Sequence, residues 1–470
     1  MNPRAAIENY DEKRAELIAA NRNLTGLVLR EREQRLDALL TEWKAAYAAG
    51  CGKGKFDVPV LTDAEIPQTP LYRFCSRLPK GGDLHVHDLA LLPLDELIAL
   101  LRECPEICIN VTDGTFRLAK ALPDGAAPEG HLPFPEAMER GRVRREDLLQ
   151  NWTVVGAAGY PGGIWPWFEE IFDRQAVLSD NPAFAAKYYR RALRYYVLHG
   201  ISHVEIHLML TGTMEESEEY VRTLRDAYYD VKREYPFFTL RIIGAGVKAD
   251  SEQIEFTRRC FLNASYVQET VKDESGPDGP EDLVIGFDLV NEEDQSLPLR
   301  AFAPMLLKVR RQYPAMRLFI HGGESLSASN ENLVDAYLLG VSRVGHGLNL
   351  YRWPDLHARY VREEIALEVC PVSNQRLGYT VDMRTHPATE YLRTGLPLTL
   401  CSDDPAFMER ETLTDDYFAA VSAWDLTLAD LKQLGINSIA YSGLSGRAKT
   451  GALKAYSALW ERFLDEMLGE

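Results

Sequence analysis

The stretch 81-GGDLHVHDLALL-92 opens with two glycines, continues as a short apolar run, and sets His85 and His87 two apart with Asp88 directly after them. Alternate residues of a β-strand point to one face, so the two imidazoles project together. Such a pair can chelate a borderline metal such as Zn²⁺. Taken singly, the motif is weak evidence, because most such pairs are surface or core histidines. Whether other ligands converge on the same point decides between these readings.

Working outward, eight short β-branched runs follow one another from residue 80: LHVH (84–87), SHVEIHL (202–208), LRIIGAGV (240–247), LVIGFDL (283–289), RLFIH (317–321), SRVGH (342–346), IALEVC (365–370) and LPLTLCS (396–402). Helical patterns with proper ends separate them. In 179–200 Asn181 is the N-cap, Pro182 the first helical residue and Gly200 the stop. ENLVDAYLLG, ending at Gly340, repeats the plan. Continuous apolar strands alternating with helices specify an α/β fold with a buried parallel sheet, and eight units fit the (β/α)₈ TIM-type barrel better than a doubly wound sheet. No GxGxxG or GxxxxGK[ST] follows any strand, which removes the dinucleotide and P-loop readings.

Three appendages surround the barrel. Residues 12–48 read as one helix, with Leu36, Leu39, Leu40, Trp43 and Tyr47 at three- and four-residue intervals and Gly50, Gly52 and Gly54 ending it. This N-terminal helical arm, residues 1–70, is either packing for the main domain or an oligomerisation element. The barrel itself is assigned to 71–411. Its segment 88–200 is too long for one βα connection and reads as a helical insertion roofing the mouth. Residues 412–470 read as C-terminal helices packing on the barrel, and DESGPDGPED (273–282) reads as a surface loop.

Composition narrows the partners. The 470 residues carry 70 acidic and 52 basic side chains, net −18, so nucleic acid and anionic membranes are repelled on average. The N-terminus lacks a signal-peptide core, and no apolar stretch reaches the ~20 residues of a membrane span. Seven scattered cysteines without a CxxC pair argue for reduced thiols and against a thiolate metal site. The expected compartment is the cytoplasm.

Chemistry in such barrels gathers at the C-terminal strand ends. Here those ends hold His85 and His87, His207, Asp288, His321 with Glu324, His346, and Asp403 with Asp404. Five of the ten histidines are among them. His321 and Asp403 join the first pair to make three nitrogens and a carboxylate around one cavity. A catalytic zinc there would keep a position for water and lower its pKa from 15.7 to about 7. Glu324, three residues beyond His321 after two glycines, is then a general acid/base, or else a helix N-cap partner. His346, between two glycines, hydrogen-bonds the nucleophile or is a buried structural histidine. Adjacent Asp403 and Asp404 diverge in direction and have separate jobs, unless SDDP is only a turn.

The motifs LPKGGDLHVHD, GFDLVNEED, IHGGES, RVGHG, LEVCPVSNQ and HPATEYLRTGLPLTLCSDDP, in this order over roughly residues 70–445, resemble those of the adenosine deaminases. PKGG before HxHD, WPWFEEIF and LKQLGINSIAYS resemble the adenosine-deaminase-related growth factor subgroup. The resemblance implies one Zn²⁺ per chain and hydrolytic deamination of adenosine, and of 2'-deoxyadenosine, to inosine and ammonia. It implies His85, His87, His321 and Asp403 as metal ligands, Glu324 as the acid that protonates purine N1, and His346 as the group orienting the nucleophile. Asp404 would contact N7, Asp88 the ribose, and Trp165 would stand in the roof. Where the family commonly has glycine after the fourth strand, this chain has Asn291. The subgroup's arm contributes to dimers, which implies a homodimer.

Two other functions remain open. One is deamination of another aminopurine, such as adenine or a cyclic or 5'-modified adenosine. The other is a non-catalytic purine-binding or growth-factor-like protein. Filled metal and acid positions speak against the latter. Two-metal amidohydrolases usually carry a lysine at the fourth strand end, which GFDLVNEE lacks, and cytidine-deaminase sites need a thiolate pair.

Overall fold

The computed structural model describes residues 10–14, 16–17, 24–50, 66–118, 129–179 and 181–469. Eight strands neighbour one another in chain order, each pair parallel: β1 (Gly81–His87), β2 (Ile201–Met209), β3 (Thr239–Val247), β4 (Val284–Val290), β5 (Arg317–Gly322), β6 (Arg343–His346), β7 (Ala366–Val369) and β8 (Leu398–Leu400). All eight coincide with the runs read from sequence. The ring closes just beyond β8, where the Asp403 N–H donates to the His85 carbonyl at 2.9 Å and the Asp403 carbonyl accepts from the His87 N–H at 3.0 Å. The last seam of the barrel therefore runs through a strand-end carboxylate.

Helices cover the outside, and their ends follow the side-chain chemistry. Asn181 caps Pro182–Leu198, and Thr213 with Glu216 forms a capping box on Met214–Glu234. After β8 the chain forms Leu413–Trp424, Leu428–Ala440 and Gly446–Leu468. Leu428–Ala440 lies across the β8–β1 seam: Ser438 Oγ accepts from the Gly82 N–H at 2.7 Å, and Asn437 donates to the Leu398 carbonyl at 3.1 Å.

Inside the barrel, small apolar groups such as Ile243, Ile285 and Phe319 sit beside a buried ionic ladder. Arg343 donates to Glu205 at 2.5 Å and Glu368 at 2.6 Å, and its guanidinium lies 4.2 Å from the Phe319 ring centre. Buried charges persist only when paired in this way.

Three sequence readings change. The single helix 12–48 is interrupted. Residues 24–30 are non-helical, because the Leu24 and Thr25 N–H groups donate to Asp430 Oδ1 and Gly26 takes φ +72°, so the helix proper is Glu31–Gly50. Gly52 and Gly54 lie outside the described residues. The arm packs on the main body. Leu36 and Leu40 are buried, and Glu33 accepts from Lys432 and from the Trp460 indole N–H at 2.9 Å. The insertion is not wholly helical either, since it contains a three-stranded antiparallel sheet of Ile107–Asn110, Phe116–Leu118 and His131–Pro133. Periodicity over three or four residues was too short to show it. Finally, 273–282 is framed by a short hairpin, Lys272–Asp273 with Glu281–Asp282. Among the described residues no helix is long and apolar enough to cross a membrane.

Candidate metal centre and active site

β1, β5 and β8 bring together the four predicted metal ligands. His85 Nε2 lies 3.0 Å from His321 Nε2 and 3.5 Å from Asp403 Oδ1, and His87 Nε2 lies 3.3 Å from the same oxygen. Donor atoms of His85, His321, His346 and Asp403 fall within 4.8 Å of one another, as do those of His87, Asp403 and Asp404. Burial opposes the Asp403 charge, yet the imidazoles of His85 and His87 hold its carboxyl well below the usual range.

Two carboxylates orient the imidazoles from behind. His85 Nδ1 is 2.7 Å from Glu368, and His321 Nδ1 is 2.6 Å from Asp288. A carboxylate that accepts from Nδ1–H fixes the ring's orientation and turns Nε2 toward the cavity. The Nε2 atoms of His85 and His321 face each other at 3.0 Å beside Asp403. A set of three imidazole nitrogens and one carboxylate oxygen, two of the nitrogens only 3.0 Å apart, fits a divalent transition metal.

The loops supply the remaining chemistry. Gly323, at φ +69°, turns the chain after His321, and a side chain there would meet Leu333 and Asn349 at 2.7 Å. Glu324 is thereby delivered buried into the cavity, 3.7 Å from His346. Burial first, then the charges of Asp403 and Glu293, raise the Glu324 carboxyl well above its ordinary range. His346 sits at φ +65° and Asp403 at φ +61°, backbone states uncommon for residues with a Cβ and held by their surroundings. Burial lowers His346 to about 4. Between them Gly345 must lack a side chain, because a Cβ would meet His85 Cε1 at 2.8 Å.

Of the predicted substrate contacts, Asp88 and Asp404 lie nearest this centre, directly after His87 and Asp403 in the chain. Asp404 is buried beside His87, and burial raises its carboxyl well above the ordinary range. Asp88, half-buried, lies 3.3 Å from the hydroxyls of both Tyr189 and Tyr220. Asn291 takes φ +106°, a conformation that favours glycine. Trp165 begins the helix Ile164–Ser179, and its indole N–H donates to the Tyr379 hydroxyl at 2.8 Å, joining the insertion to the loop after β7. Tyr379 lies near enough to feel the Glu324 charge.

Sequence reasoning missed the supports. Glu293 accepts from the backbone N–H groups of Gly323, Glu324 and Ser325 at 3.1, 2.7 and 3.1 Å, and pairs with buried Lys248. Glu368, Arg343, Tyr379 and the two tyrosines at Asp88 were also passed over. One signal was available: Glu205 and Glu368 are lone acids inside apolar strands, SHVEIHL and IALEVC, and such residues must point to a paired interior.

The family model for adenosine deaminase matches residues 247–455. Adenosine deaminase of Lutzomyia longipalpis is 31% identical over 427 residues, spanning 85% of this chain and 80% of the relative. Adenosine deaminase 2 of Dictyostelium discoideum is 28% identical over 426 residues, spanning 85% and 76%. Among solved structures, an amidohydrolase from Burkholderia ambifaria with bound Zn matches with a TM-score of 0.58 at 19% identity, covering 87% of this chain and 98% of that one, a likeness of fold.

Proposed function

This chain belongs to the adenosine deaminase family, and on that premise we propose that it hydrolyses adenosine, and 2'-deoxyadenosine, to inosine and ammonia with one Zn²⁺. The observation that carries the reading is the approach of His85 to His321 at 3.0 Å, and of His85 and His87 to Asp403 at 3.5 and 3.3 Å, beside the buried carboxyl of Glu324, which burial raises well above its ordinary range. Bound by those four residues, zinc would supply an activated water at neutral pH.

The chain's own groups do the rest. Glu324 gives its proton to purine N1, and Asp404, protonated by its burial, donates to N7. Together they draw electron density from C6 and make addition of water to the ring feasible. His346, neutral above about 4, accepts a hydrogen bond from the attacking water and directs it to C6. Water adds through its oxygen to C6, one of its protons passing by way of His346 to the amino group, which departs as ammonia as the C6–N bond breaks, while the other restores Glu324, whose own proton stays on N1 of inosine. Asp88 holds the ribose, and Trp165 with Tyr379 covers the mouth. We place the protein in the cytoplasm as a homodimer.

The test is a metal analysis joined to ammonia release and inosine formation over a panel of adenosine, 2'-deoxyadenosine, adenine, AMP and 5'-modified adenosines. Turnover of adenosine by protein holding one zinc per chain is expected. Turnover of another member without adenosine would reassign the substrate, and purine binding without ammonia release from zinc-replete protein would remove the catalytic reading.

A further inference from the structure

His207 stands at the end of β2, buried, and the mechanism above gives it no role. Its Nδ1 lies 2.8 Å from Asp288 Oδ2, the same oxygen that His321 Nδ1 meets at 2.6 Å. The other oxygen, Oδ1, is pinned by the backbone N–H groups of Leu289 and His321 at 2.6 and 2.9 Å. Asp288 therefore accepts from four donors, and both donors to Oδ2 are imidazoles. The His207 ring also lies against His85, with centres 4.4 Å apart.

We infer that His207 is a positioning residue for the metal centre: by sharing Asp288 Oδ2 with His321 it locks the ring plane and tautomer of that ligand. With His207 gone, Oδ2 loses one of its two donors, and the carboxylate is held less firmly against His321 Nδ1. His321 then loses the fixed acceptor that aims its Nε2 at the metal. Outer partners of metal-bound histidines typically change metal affinity by about 10–100-fold. A residue that merely filled space would leave affinity alone.

The inference rests on the zinc-site reading, and the experiment separates the two. Zinc affinity of the full chain is measured by competition with a chromophoric chelator for wild type, His207→Leu, His207→Asn, Asp288→Asn and the His207→Leu/Asp288→Asn pair. Wild type is expected to bind one zinc, and His207→Leu to bind about 10–100-fold more weakly. His207→Asn, whose amide N–H can occupy the place of Nδ1–H, should recover most of the loss. On the Asp288→Asn background His207→Leu should cost little more, since both act through one carboxylate. Unchanged affinity in His207→Leu, equal loss in His207→Asn, or additive losses in the pair would overturn the inference. Wild type that binds no zinc would instead overturn the zinc site. Should His207→Leu not fold, judged by circular dichroism of the apo-protein, His207→Phe keeps a ring there and is read in the same way.

Discussion

The carboxylate of Glu293 receives the backbone N–H of Glu324 at 2.7 Å, so one acid sets the place of the other. Gly323 and Ser325 donate to the same carboxylate, and Asn332 and Asn330 add side-chain N–H groups, which makes Glu293 the anchor of the whole loop. Glu293→Ala should lower kcat by about 10²-fold through misplacement of Glu324. Zinc content, measured on the same protein, should stay at one per chain.

Glu324→Gln preserves shape and removes the proton. Zinc should remain while turnover falls by about 10²- to 10⁴-fold. His85→Ala, by contrast, should lose the metal. Metal analysis beside a steady-state assay distinguishes the two, and normal activity in either variant would refute the corresponding role.

The pH profile follows from two opposite shifts. Burial keeps Glu324 protonated well above the ordinary carboxyl range, and burial lowers His346 to about 4. The active form is protonated acid with neutral imidazole, so kcat/KM should fall toward higher pH as Glu324 ionises, above the ordinary carboxyl range. A profile that instead rose through about 4.3, the ordinary glutamate value, would mean that the carboxylate is the working form.

Stability has its own pH dependence at Glu293. Burial opposes its charge, but Lys248 and the donors around it lower the carboxyl from 4.5 to about 2. A depressed folded value stabilises above the unfolded one and fades as pH falls through the folded one. Denaturant midpoints of wild type should decline more steeply than those of Glu293→Gln as pH drops from 4.5 toward about 2.

Arg343→Met strands Glu205 and Glu368 as buried charges without their partner. The loss should be about 3–5 kcal/mol in urea unfolding. Because Glu368 also holds His85 Nδ1 at 2.7 Å, weaker zinc retention should accompany it.

The amino-acid sequence alone determined the barrel and its chemistry-bearing ends. Strand and helix periods are local, and HxHD, HGGES, GHG and SDDP each mark a strand terminus with polar groups that an apolar core would not carry. Only the tertiary structure decided how those ends are held. Asp403 closes the ring by pairing with β1, Glu293 grips a loop 30 residues later, and Glu368 orients a histidine 283 positions before it. The interruption of the arm at Thr25 depends likewise on Asp430, 405 residues away. Hydrogen bonds of this kind need only proximity in space and carry no spacing rule along the chain, whereas periodicity reports backbone geometry and is written into neighbouring residues.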